Sequence, residues 1–182
     1  GFNYSVCEKP WGTGIHHDDI DAHLSSGDYD ILCMVHNETS TGTMSNLEQI
    51  SILMKSKYPN VLWMVDAVSS MAGVKIEVDE LGVDFIFAST QKAWGLPAGF
   101  AIMAVSERMM ERSRTIQDKG YFLDLEVYEK YYQKWQTPIT PSIPHMYGLA
   151  HVLKLIEEEG LNNRWERHLL SASIAQDWAK YH

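Results

Sequence analysis

Cysteine is scarce in this 182-residue chain, which has only Cys7 and Cys33. Neither has ligand-like spacing, so a disulfide framework and a cysteine-based zinc site are excluded. Both read as small core residues of a reducing compartment. Excess positive charge is also missing. Fifteen Lys and Arg stand against 24 Asp and Glu, for a net charge of -9. That balance argues against nucleic-acid binding driven by phosphate contacts and against docking on an anionic membrane surface. No apolar run approaches the ~20 residues that a membrane span needs. No charged-then-apolar leader opens the chain, and there is no internal repeat or low-complexity linker. What remains, 45% hydrophobic and 21% charged, is the composition of a globular protein with one domain's worth of core. The chain opens at Gly1 without a methionine and ends at Tyr181-His182 in a helix-like pattern, so the expectation is a fragment of a longer protein.

What is present alternates between strand and helix patterns. Asn3 to Cys7 alternates like a short strand. Pro10, Gly12 and Gly14 make a loop whose GxG lacks the third glycine of a dinucleotide fingerprint. Ile20, Ala22 and Leu24 predict a short helix stopped by Ser25-Ser26-Gly27. The run His16-His17-Asp18-Asp19 is rich in metal-ligand types. Adjacent side chains diverge, however, so it reads as a solvated helix start and no metal site is assigned. Ile31 to Val35 is a continuous apolar run, which suits a strand buried on both faces of a parallel sheet. Leu47, Ile50, Ile52, Leu53 and Met54 predict a helix with one buried face over Asn46 to Lys57, and Tyr58-Pro59-Asn60 ends it. Val61 to Val65 is a second buried strand, Val74 to Val78 a short third, and Phe85 to Ala88 a fourth after a turn at Gly82. Ala101 to Val105 is a strand, and Ser106 caps a helix to about Arg114. This order predicts an α/β fold around a doubly wound, mainly parallel sheet. Gln117 to Ser142 reads as aromatic-rich loop, and Tyr121, Phe122, Tyr128, Tyr131, Tyr132 and Trp135 suggest an interface. A helix over His145 to Glu159 ends at Gly160, and Asn162 or Asn163 caps a last helix.

Three strands end in polar groups: the burst HNETSTG with Thr39 after the first, Asp66 after the second, and Ser89-Thr90-Gln91-Lys92 before a Gly/Pro loop. In an open parallel sheet such ends face one crevice. An amine just past an apolar strand is expected to be semi-buried, which would disfavour its charge and ready it as a Schiff-base nucleophile. A carboxylate, an amine and hydroxyls converging there suit a pyridoxal phosphate site. The lysine would bond the cofactor and the aspartate would hold its pyridine nitrogen protonated.

The stretches VHNETSTG, VDAVSSMAG, DELGVDFIFASTQKAWGLPAGF, TPITPSIPHMYGL and LIEEEGLNN then carry a resemblance. From about Gly12 to about His168 the chain resembles the class V aminotransferases of fold type I, nearest to the serine–glyoxylate and alanine–glyoxylate group. The resemblance implies the large domain of that fold, a mainly parallel sheet sandwiched by helices and incomplete at both ends. It implies residues 1–145 as the central part of the cofactor domain and 146–182 as helices leading towards a small C-terminal domain. Lys92 matches the Schiff-base lysine, and Asp66 the acid on the pyridine nitrogen. Val68 matches the apolar residue against the ring, Thr39 the hydroxyl near the phenolic oxygen, and Gln91 the glutamine reaching towards the phosphate. Thr140 resembles the residue that helps bind the phosphate of the partner subunit, which implies a homodimer. The resemblance implies transamination between serine or alanine and a 2-oxo acid such as glyoxylate or pyruvate, inside the cell in the cytoplasm or peroxisome. The family's phosphate loop and substrate-carboxylate arginine have no counterpart in these residues, and are expected before residue 1 and after residue 182.

Three alternatives are weaker. Ser89 to Lys92 matches S-x-x-K, but this serine ends a strand, and S-D-N and K-T-G are missing. A desulfurase, kynureninase, phosphonate transaminase or phosphoserine aminotransferase shares the fold. A desulfurase commonly carries histidine at the position of Gln91. A binding-only relative is disfavoured by the intact Lys92 and Asp66.

Overall fold

The computed structural model describes residues 3–182. Its centre is a four-stranded sheet in the order β1 (Ile31–Val35), β4 (Leu62–Asp66), β5 (Phe85–Ser89), β6 (Ala101–Val105). The first three run parallel and β6 returns antiparallel to β5. Between β1 and β4 lie a small hairpin, β2 (Asn37–Glu38) and β3 (Thr43–Met44), and the helix α2 (Leu47–Lys57). The helix α1 (His17–Leu24) precedes β1, and α3 (Val78–Leu81) lies between β4 and β5. After β6 come α4 (Glu107–Thr115), α5 (Leu125–Tyr132), α6 (Ile143–Glu159) and α7 (Leu161–Tyr181). This is the expected α/β fold with a mostly parallel sheet and flanking helices.

The helix starts follow capping chemistry. The Asn46 carboxamide accepts from Gln49 N at 3.0 Å, and Ser106 Oγ accepts from Met109 N at 3.1 Å. Each supplies a partner to an N–H that a first turn leaves open. Gly82 closes α3 at φ 73°, a left-handed cap that side chains avoid.

One face of the sheet holds the core. Ile20 and Leu24 of α1 and Leu47, Ile50 and Met54 of α2 pack there on Trp63, Val65 and Ile86. Asp84, 3% exposed, ties the far end together. Its carboxylate accepts from Trp63 N at 2.9 Å and Ser106 Oγ at 2.7 Å. A buried charge persists only with such partners.

Several expectations are corrected. The run Ile31 to Val35 is a strand but is not buried on both faces. Ile31 and Val35 are 38% and 44% exposed, because β1 is an edge strand and the second sheet face is open. Asn3 to Cys7 forms no strand; its polar Ser5 instead contacts His23 and donates to Tyr29. Residues 74–78 pair with no strand, and Val78 opens α3. Within the supposed loop after Gln117, Asp124 accepts from Glu126 N and starts α5. Tyr128 and Tyr131 on that helix are half-buried, whereas Tyr121, Phe122, Tyr132 and Trp135 are exposed, Trp135 at 93%. The last helix is preceded by Gly160, not capped by asparagine; Asn163 Nδ2 donates back to the Glu159 carbonyl.

Candidate functional site

The parallel strands point their carboxyl ends the same way. Val35 pairs with Asp66, and Asp66 with Phe87. The segments leaving β1, β4 and β5 therefore start side by side along one sheet edge. Because paired residues share a face, Val35, Asp66, Phe87 and Met103 form a row across the open face. Asp66 thus sits at the strand tip on the uncovered side, half-buried. Its Oδ1 accepts from Val68 N at 2.9 Å, which curls the chain into the following turn and leaves Oδ2 without a hydrogen bond among the described residues. Val68 is half-buried in that turn.

Lys92 leaves β5 through a loop built around Thr90. Thr90 is fully buried. Its N–H donates to the Phe100 carbonyl at 3.1 Å and its carbonyl accepts from Leu96 N at 2.9 Å. Its hydroxyl donates to the Pro97 carbonyl at 2.8 Å. The loop is closed on itself before it returns as β6, and Gly95 N bonds the Lys92 carbonyl at 2.9 Å. Lys92 itself is exposed, so the semi-buried amine expected from the sequence is not found, and these residues do not supply the desolvation that argument requires. Among the described residues its amine has no ion pair or hydrogen bond. Gln91 is exposed and its Oε1 accepts from Ser89 Oγ, which leaves the amide N–H groups to point elsewhere.

Thr39 lies exposed in the turn between β2 and β3, the hairpin that leaves the end of β1. That hairpin is tied to the neighbouring strand end. His36 N donates to the Asp66 carbonyl at 2.9 Å, and Ser45 N to the His36 carbonyl at 2.8 Å. Thr140 lies apart: it is exposed in the extended segment before α6, and no hydrogen bond among the described residues ties it to Asp66 or Lys92. Five of the six predicted residues thus gather on adjoining strand ends and their loops, and the sixth does not join them within this chain.

Other residues shape this edge that the sequence reading did not single out. His36, 4% exposed, bonds Ser70 through Nδ1 at 2.9 Å. Burial pushes its imidazole down to about 4, against a smaller opposing pull from Glu48. Asn37 Nδ2 donates to Ser69 Oγ at 2.9 Å, and Ser69 Oγ donates to the Asn37 carbonyl at 3.0 Å. The turn after Asp66 is therefore stitched to the end of β1 by two side-chain pairs. The available signal was the polar pairs His36-Asn37 and Ser69-Ser70 directly after apolar runs, where each needs a partner.

The family profile described as aminotransferase class-V matches residues 8–178. The serine–glyoxylate aminotransferase of Arabidopsis thaliana is 36% identical over 173 residues, covering 92% of this chain and 43% of that protein. Alanine–glyoxylate aminotransferase 1 of Saccharomyces cerevisiae is 34% identical over 170 residues, covering 88% of this chain and 43% of the relative. Among solved structures, the alanine–glyoxylate aminotransferase of Nostoc sp. superposes with a TM-score of 0.84 at 32% identity. It covers 91% of this chain, which spans 44% of it. The chain therefore spans less than half the length of these relatives.

Proposed function

The chain belongs to the class-V aminotransferase family, and from that premise we propose that the full-length protein is a pyridoxal phosphate-dependent aminotransferase. It would pass the amino group of serine or alanine to a 2-oxo acid such as glyoxylate or pyruvate. The observation that carries the reading is the strand-edge register, in which Val35 pairs with Asp66 and Asp66 with Phe87. That register sets the turn after Asp66 beside the loop that carries Lys92.

The residues present fit the ring end of the cofactor. Asp66 has a carboxylate oxygen without a partner at a strand tip, Lys92 has an uncommitted amine, and Thr39 has an exposed hydroxyl on the adjoining hairpin. Asp66 Oδ2 would accept the hydrogen bond of the pyridine nitrogen and hold its proton in place. Bound there, pyridoxal phosphate supplies the electron sink for the pair released when the substrate Cα–H bond breaks. Lys92 Nζ would hold the group covalently. When not bonded to the group, the Lys92 amine would serve as the general base that takes the Cα proton. Val68 would lie against one ring face, the Thr39 hydroxyl would donate to the phenolic oxygen, and the Gln91 amide would reach for the phosphate.

Thr140 is assigned to the phosphate of the partner subunit in a homodimer. Its position away from Asp66 and Lys92 suits that role. Residues 1–145 are assigned to the central part of the cofactor domain and 146–182 to helices that lead to a smaller domain. The same reading puts the protein in the cytoplasm or peroxisome; the structure itself contributes that, among the described residues, no helix is long and apolar enough to cross a membrane.

The test uses the full-length protein loaded with pyridoxal phosphate. Borohydride should fix the cofactor to Lys92, as located by peptide mass spectrometry, and Lys92→Ala should abolish both the adduct and transamination. An adduct that persists in Lys92→Ala would sink the lysine assignment. Serine and alanine, each paired with glyoxylate and with pyruvate, then identify the substrates.

A further inference from the structure

We infer that Arg164 is a positioning residue that holds the Lys92 loop against the Asp66 turn; this rests on the function proposed above. Arg164 lies in the first turn of α7, and its side chain is 13% exposed. Its Nε donates to the Ala72 carbonyl at 2.8 Å, and one terminal nitrogen donates to the Ala93 carbonyl at 2.7 Å. Ala93 follows Lys92 directly. Ala72 lies in the turn that follows Asp66, and it sits at φ 71°, a conformation that residues other than glycine avoid. Among the described residues, no other side chain bonds both segments.

The two segments also touch. A Cβ built on Gly73 would lie 3.0 Å from the Ala93 Cβ and 3.5 Å from the His168 ring. The glycine permits the contact and the guanidinium closes it. The planar fork matters, because its separate N–H groups reach two carbonyls at once, whereas a lysine ammonium is a single point. The second terminal nitrogen is held by Glu159 Oε2 at 3.2 Å. Arg167 bonds both Glu159 oxygens, at 2.5 and 3.0 Å. Arg167 and, after it, Arg164 hold that carboxylate down to about 2. The last residue of α6 and the first turn of α7 thus orient one guanidinium, and that guanidinium sets the distance between the turn after Asp66 and the loop of Lys92.

Chemistry that needs both groups on one ring is sensitive to such a distance, since a displacement of ~1 Å can cost about 100-fold in rate. The decisive comparison is Arg164→Lys against Arg167→Lys in the full-length protein loaded with pyridoxal phosphate. Among the described residues the Arg167 side chain hydrogen-bonds only Glu159, so its variant perturbs the same ion cluster without removing a bond to either loop. Arg164→Lys is expected to lose roughly 10- to 100-fold in kcat, with KM for the amino donor nearly unchanged. Its Lys92-bound absorbance should titrate at a shifted pH, and borohydride should still fix the cofactor on Lys92. Arg167→Lys, which leaves both carbonyl contacts of Arg164 in place, is expected to keep most of the wild-type kcat.

Equal losses in the two variants would reduce Arg164 to a member of a stabilising cluster and overturn the inference. An unchanged kcat in Arg164→Lys would overturn it as well. A wild type on which borohydride fixes nothing at Lys92 overturns the underlying function, and the inference with it. Should Arg164→Lys fail to fold, Gly73→Ala takes its place. It keeps Arg164 and wedges the segments apart, and it must lower kcat with native circular dichroism retained; wild-type kcat there refutes the idea.

Discussion

His36 is the residue whose chemistry is most constrained by its surroundings. Its neutral imidazole is buried against Ser70, while the unfolded chain exposes it to water with a pKa near 6.5. Between about 6.5 and about 4 the unfolded chain takes up a proton that the folded chain does not. Stability linked to this group is therefore complete above 6.5 and falls as pH drops towards 4, by about 1.4 kcal/mol per pH unit within that window. His36→Asn keeps a side-chain partner for Ser70 and has nothing to titrate, so its denaturation midpoint should change less between pH 7 and pH 5 than that of wild type. Equal changes in the two proteins would show that the imidazole is not buried neutral. Glu159 works with the same sign but in a lower window. Held down to about 2 by Arg167 and Arg164, it gives its full contribution above the ordinary carboxylate range and loses it as pH falls from that range towards about 2. The two acid effects are thus separable by pH.

At the scale of elements, the strands and helices are joined by polar groups at their ends. Ser106 does two jobs at the junction of β6 and α4. Its hydroxyl oxygen accepts from Met109 N to cap the helix, and its proton goes to the buried Asp84. Ser106→Ala removes the cap and takes one donor from a carboxylate that also serves Trp63 N. The expected loss is about 2 kcal/mol of stability, measured by urea denaturation. Ser106→Thr should recover most of it, because the hydroxyl remains. A loss no larger than that of an exposed-surface substitution would mean that Asp84 is satisfied without Ser106. The proposed role of Arg164 belongs to this scale too, since it joins the first turn of α7 to segments that follow β4 and β5.

At the scale of the molecule, the sheet has one packed face and one open one. The open face carries Ile31, Val35 and Met103, each between 38% and 44% exposed, beside half-buried Phe85 and Phe87. Parallel strands are ordinarily covered on both sides, and an apolar area of this kind marks a contact surface. The relatives are more than twice as long as this chain, which makes the remainder of the full-length protein the natural cover. The 182-residue chain expressed alone should therefore bind more of an apolar-surface dye per mole than the full-length protein, and should self-associate on gel filtration. Equal dye binding by the two would show that this face stays open in the longer protein.

Local chemistry alone determined much of this. Apolar runs punctuated by Gly, Pro and capping residues located all four strands of the main sheet and all but two of the α-helices, because periodicity and capping are properties of neighbours in the chain. The exceptions are instructive. In α5 the start signal, Asp124 followed by Glu126, was masked by closely spaced aromatics, and the helix carries no fully buried residue to mark a stripe. In α3 the four residues are too few to show a period. The polar strand ends at Thr39, Asp66 and Lys92 were legible for the same local reason, since each interrupts an apolar run. Strand order, by contrast, depends on contacts between residues far apart in sequence. Only the tertiary structure placed β4 between β1 and β5, left one face of β1 open, and exposed Lys92 where burial was expected. It alone brought Arg164 to the carbonyls of Ala72 and Ala93, 92 and 71 residues away, because no local pattern encodes which backbone oxygens a side chain will meet.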